Sequence, residues 1–151
     1  MRSESPAVLA VLLARTGLTQ MDAAVLLGVA SRTFRRWMEG IVAPRPGAIS
    51  RLEGLARELD QAADVVVRGM GEAGAAPTTL VVYRRDEDVP PWTGLRTAGC
   101  YLAFLRRVVE RSPRVQLVTF NRSTYRRWLG SRPDSEELRA AWARRKIPIV
   151  P

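Results

Sequence analysis

The chain has 151 residues, of which 46% are apolar and 26% charged, so it can bury a core; Lys+Arg outnumber Asp+Glu by 24 to 15, giving a formal charge of +9. Histidine is absent and Cys100 is the single cysteine, which excludes Ser-His-Asp and Cys-His catalysis, the usual zinc sites and an internal disulfide framework. A small, basic, non-enzymatic protein with no cofactor is expected.

The N-terminal half reads as four helices. Ser5 and Pro6 open the first, which carries Ala7, Val8, Leu9, Val11, Leu12 and Leu13 with Pro6 at its first position, and Gly17 ends it. The apolar run from Ala7 to Ala14 is too short to span a bilayer, and Arg15 stops it with no small-residue cleavage site beyond; neither a signal peptide nor an anchor is expected, and the protein is expected in the cytoplasm of a bacterial host. Thr19, with Asp22 three residues on, forms a capping-box-like start for the second helix. Ala23, Ala24, Leu26 and Leu27 follow, and Gly28 stops it. The third helix runs from about Ser31 to Glu39, with Phe34, Trp37 and Met38 facing inward and Arg32, Arg35 and Arg36 off that stripe. After a loop holding Pro44 and Pro46, the fourth carries Ile49, Leu52, Leu55, Ala56, Leu59, Ala63 and Val66 at three-to-four spacing.

The Gly- and Ala-rich stretch from Gly69 to Pro77 reads as a linker, dividing the chain into domains at 1–69 and 78–151 with a linker at 70–77. Beyond it the pattern predicts a strand at Thr78–Tyr83, a loop at Arg84–Pro91 and a helix striped by Leu95, Ala98, Leu102, Leu105 and Val109. A second strand at Val115–Phe120 follows, then helices at Ser123–Leu129 and Ser135–Lys146, the last stopped by Pro148. The fold class is α+β: an all-α N-terminal domain followed by a small α/β domain. Strands joined by a helix pair in parallel or complete a sheet with a second subunit. Two strands alone make a weak sheet, which points to dimerisation.

The residues that carry chemistry lie between Leu18 and Pro44. A short helix headed by Gln20, a Gly28-Val29 turn and a second short helix with a basic face have the spacing of a helix-turn-helix. Arg reads guanine N7 and O6 in the major groove, and the amides and Gln20 side chain at the start of the second helix suit a phosphate. The high isoelectric point fits a polyanion, with nucleic acid preferred to membrane lipid. Of the 24 basic residues 23 are Arg; a GC-rich genome accounts for Arg over Lys but not for the net charge.

Over about Ser5 to Asp64 the sequence resembles the Xre/Cro family of phage-repressor-like helix-turn-helix regulators. The resemblance implies a phosphate contact for Gln20, base contacts for Ser31, Arg32 and Arg36 with Thr33 and Arg35 beside them, and a backbone contact for Arg45. The family's usual Ser/Thr cap position is Ala30 here, so that either Ser31 caps instead or the helix starts one residue early. The two-part layout also resembles the anti-CRISPR-associated, YdiL-like regulators, which implies a dimeric repressor of its own operon, with RNA binding in some members. Double-stranded operator DNA and a second copy of the chain are thus the expected partners, with no membrane association. An RNA-binding autoregulator, a helix-turn-helix assembly or packaging protein and an antitoxin are the alternatives.

Thr33-Phe34-Arg35-Arg36-Trp37-Met38 nearly recurs as Thr124-Tyr125-Arg126-Arg127-Trp128-Leu129. Tyr125, Trp128 and Leu129 are expected inside with Arg126 and Arg127 solvated; the alternative makes Arg126 and Arg127 additional nucleic-acid contacts. The basic tail Arg144-Arg145-Lys146 is expected to be solvated, Trp92 to pack its loop onto the core, Cys100 to be a buried apolar residue, and Asp86-Glu87-Asp88 to be a solvated loop without a metal.

Overall fold

The computed structural model describes residues 4–72, 74 and 76–147 and is mixed α+β. The chain divides into two compact units, Met1–Ala62 and Ala63–Pro151. No single helix among the described residues is long and apolar enough to cross a membrane.

The first unit contains α1 (Glu4–Thr16), α2 (Gln20–Leu27), α3 (Ser31–Met38) and the first part of α4 (Ala48–Glu72). Helix α1 begins at Glu4, so Pro6 is its third residue, still within the first turn, where an amide has no acceptor inside the helix. Thr16 is buried in the last turn, and its hydroxyl donates to the Leu12 carbonyl. A bend of 97° separates α1 from α2. The capping box at the bend is complete: the Thr19 hydroxyl accepts from the Asp22 amide, and the Asp22 carboxylate accepts from the Thr19 amide. Gly28 closes α2 at φ 64°, a left-handed position that a β-carbon would strain.

Helix α3 packs against both α1 and α2. Phe34 and Trp37 are fully buried at a spacing of one turn, with ring centroids 5.8 Å apart. They join Leu9, Leu12, Ala23, Ala24, Leu52, Ala56 and Leu59 in the buried apolar set of this unit. Gly40, at φ 71°, ends the α3 segment where a β-carbon would come 3.3 Å from Pro6 Cγ. The start of α3 differs from both expectations. Ala30 is the N-cap and makes no side-chain bond, and Ser31 is already helical, so the first-turn amides have no side-chain cap. Replacing Ala30 with Ser supplies the missing acceptor and is expected to stabilise the first unit by about 1 kcal/mol, read as a raised urea midpoint.

Helix α4 buries Ala48, Leu52, Ala56, Leu59 and Ala63, at successive spacings of four, four, three and four. It runs on through Gly69 and Gly71 to Glu72, so the first three residues of the expected linker are helical. A lone glycine weakens a helix by only about 1 kcal/mol, too little to stop one this long.

The second unit holds β1 (Thr78–Val82), α5 (Ala98–Arg111), β2 (Val115–Thr119), α6 (Arg122–Leu129) and α7 (Glu136–Arg144). The strands pair in parallel, Leu80 opposite Leu117, and both α5 and α7 pack against β1. The stripe expected on α5 is rotated. Leu95 precedes the helix, Leu102 and Val109 are exposed, and the buried face is Ala98, Cys100, Ala103, Phe104, Leu105 and Val108. The aromatic core decides this, because Tyr101 and Phe104 turn inward to join Tyr83, whose ring lies 5.0 Å from Tyr101. Helix α6 starts at Arg122, one residue before expected, with Asn121 as its cap. Helix α7 is capped by Ser135 and ends at Arg144; Pro148 lies outside the described residues.

Candidate nucleic-acid interface

Two apolar anchors set the outward face of α3. With Phe34 and Trp37 buried, the helical period places Arg32, Arg35 and Arg36 together on the opposite side. All three are exposed, as are Ser31 and Thr33. Their guanidinium groups have no hydrogen-bond or ion-pair partner among the described residues. Many other arginines are engaged. Arg15 pairs with Asp60 at 3.4 Å, Arg106 with Glu110 at 3.0 Å, and Arg122 with Asp88. Three uncompensated guanidiniums on one short helix give the first unit a local positive face, although that unit as a whole holds 8 basic against 6 acidic residues.

Gln20 opens α2 directly after the N-cap Thr19, and its side chain is exposed at the positive end of that helix. Helices α2 and α3 pack against one another, so Gln20 and the arginine face are carried by one pair of elements. Arg45 does a further job in the structure. Its Nη2 donates to the Leu27 carbonyl at 2.9 Å, tying the α3–α4 loop to the negative end of α2. Arg51, which the motif reading passed over, is exposed in the first turn of α4 and lines a shallow groove with Arg45, Leu26 and Leu27. Its position one turn past a Pro- and Gly-containing loop was the available signal.

In the second unit Tyr125 is buried while Arg126 and Arg127 are exposed, and Trp128 and Leu129 are half-buried. The acidic triplet is not a purely solvated loop. The Asp86 carboxylate accepts from the Ala98 amide at the start of α5, and buried Asp88 accepts from Arg122 Nε at 2.6 Å. Trp92 is partly exposed and stacks on the Arg139 guanidinium, 5.3 Å from its Cζ. Cys100 is buried.

Arg139 was not legible as a central residue. Its side chain is only 12% exposed and lies against four rings, those of Tyr83, Trp92, Phe120 and Tyr125. It donates to both Asp134 oxygens and to the Asp88 carbonyl. Burial by itself would raise the Asp134 carboxyl, but hydrogen bonds from Arg139 and Tyr125 outweigh it and hold the carboxyl below its ordinary value. Burial, followed by the bond to Asp134, pushes the Tyr125 hydroxyl up to about 12.

No protein-family model and no curated protein matches this chain.

Proposed function

We propose that α2 and α3 form a helix-turn-helix of the Xre/Cro kind and that the protein is a sequence-specific DNA-binding transcriptional regulator. The observation that carries this reading is the set of three exposed, unpaired guanidiniums of Arg32, Arg35 and Arg36 on a helix anchored by Phe34 and Trp37. A rigid short helix with one basic face suits the major groove, where Arg binds guanine bidentately. Gln20 at the start of α2 contacts a phosphate, and Arg45 and Arg51 flank the adjoining backbone.

The regulator acts as a homodimer on an inverted repeat, with one α3 per half-site and half-sites about one helical turn apart. Repression follows from occlusion of its own promoter. The composition of the second unit supports dimerisation. Among the described residues its sheet has two strands, and Leu102 on α5 and Leu117 on β2 are left exposed.

Selection from a random duplex pool, with excess non-specific competitor, is the test. An enriched inverted repeat is expected. Against it, Arg32→Ala and Arg36→Ala each lose roughly 1–3 kcal/mol and relax the preference at one base pair per half-site. Gln20→Ala weakens all sequences alike. Wild-type affinity and preference in both arginine variants would overturn the assignment.

A further inference from the structure

Helix α6 repeats the pattern of α3 over its last six residues. Both have eight residues, Ser31–Met38 and Arg122–Leu129, and the Thr, Arg-Arg and Trp positions coincide. The burial coincides at one anchor and at the pair: Phe34 and Tyr125 are buried and both Arg-Arg pairs are exposed, while Trp128 is half-buried where Trp37 is buried. Arg126 and Arg127, like Arg35 and Arg36, have no side-chain partner among the described residues. The unit that carries them holds most of the chain's net charge, 16 basic against 9 acidic residues.

We infer that Arg126 and Arg127 form a second DNA-binding face, one that grips the phosphate backbone of duplex DNA without reading its sequence. This rests on the partner proposed above but not on the role of α3. Three observations select this chemistry. The first position of α6 is Arg122, held by Asp88 and by the Glu87 carbonyl, and the second is the short Ser123. The corresponding positions of α3 offer Ser31 and an unbound Arg32, so α6 keeps the guanidinium pair while lacking the reach of the base-reading end. Unpaired RNA is recognised by stacking on open aromatic faces, yet Tyr125 is buried and Arg132 covers the Trp128 ring at 4.2 Å. A membrane surface asks for apolar side chains beside the cations, whereas the exposed positions of α6 are Ser123, Arg126 and Arg127.

Each neutralised phosphate contributes about 0.9 to the slope of log affinity against log salt. The test compares full-length protein with the Arg126→Ala/Arg127→Ala variant on a duplex of arbitrary sequence and on the selected site. The variant is expected to lose about 1.8 from the slope for each chain bound, on both duplexes, so that raising salt from 50 to 200 mM costs it about tenfold less affinity per bound chain than wild type. Arg126→Lys/Arg127→Lys keeps the wild-type slope. An unchanged melting curve shows that the loss is not unfolding. An unchanged slope in the Ala variant overturns the inference, as does a loss confined to single-stranded RNA or to anionic vesicles. Loss of site preference on changing Arg32 and Arg36 tests the other face, so the two readings fail separately.

Discussion

Replacing Arg139 with methionine is expected to destabilise the second unit by about 2 kcal/mol, because it removes the hydrogen bonds of a side chain only 12% exposed and leaves half-exposed Asp134 without its cation. The side chain is the hub of that unit. It joins α7 to the loop after β1 through the Asp88 carbonyl, and to Asp134 ahead of α7 through a two-oxygen contact. Its Cζ lies 4.7 Å from the Phe120 ring centroid and 5.3 to 5.4 Å from three others. Lysine is not an adequate substitute, because a single ammonium cannot serve Asp134 and the Asp88 carbonyl in one plane. Urea unfolding followed by tryptophan fluorescence checks both variants, and full stability in Arg139→Lys would refute the hub. A pH signature accompanies it. The Asp134 carboxyl is held below its unfolded value, so its stabilisation is complete above about pH 4 and is lost as pH falls through the native value. In Arg139→Met that acid-side dependence is expected to flatten.

Trp37→Ala is expected to cost the first unit roughly 3–5 kcal/mol, the range for emptying a fully buried aromatic site. A unit of this size has little stability to spare, so α3 loses its seat and specific DNA binding disappears with the fold. Arg36→Ala, one position away on the solvent side, is expected to leave the melting temperature unchanged while weakening operator binding. Circular dichroism alongside binding separates the two. Trp37→Phe, which refills most of the cavity, is expected to recover most of the loss. If Trp37→Ala melts like wild type, then burial of this ring is not what holds α3 in place.

The sequence by itself determined the local elements whose signals are short-range. Thr19 with Asp22, Gly28, Gly40 and Ser135 mark helix ends through bonds to residues three or four away, and each is found where its chemistry puts it. The alternation of Phe34 and Trp37 with Arg32, Arg35 and Arg36 likewise states which side of α3 is dry. The candidate interface was legible for the same reason, since its cations lie on one helix. Tertiary structure decided what depends on partners distant along the chain. Leu102 and Val109 look like core residues until Tyr101 and Phe104 claim the inner face of α5. Arg45 resembles any loop cation until the Leu27 carbonyl, 18 residues earlier, comes within reach. Arg139 acquires its role only when the end of β1, the following loop, the end of β2 and α6 bring four rings around it, and Arg122 is held only because Asp88, 34 residues back, comes within reach. Periodicity records how a helix faces its surroundings but not which side chains those surroundings supply, and burial and pairing depend on the second.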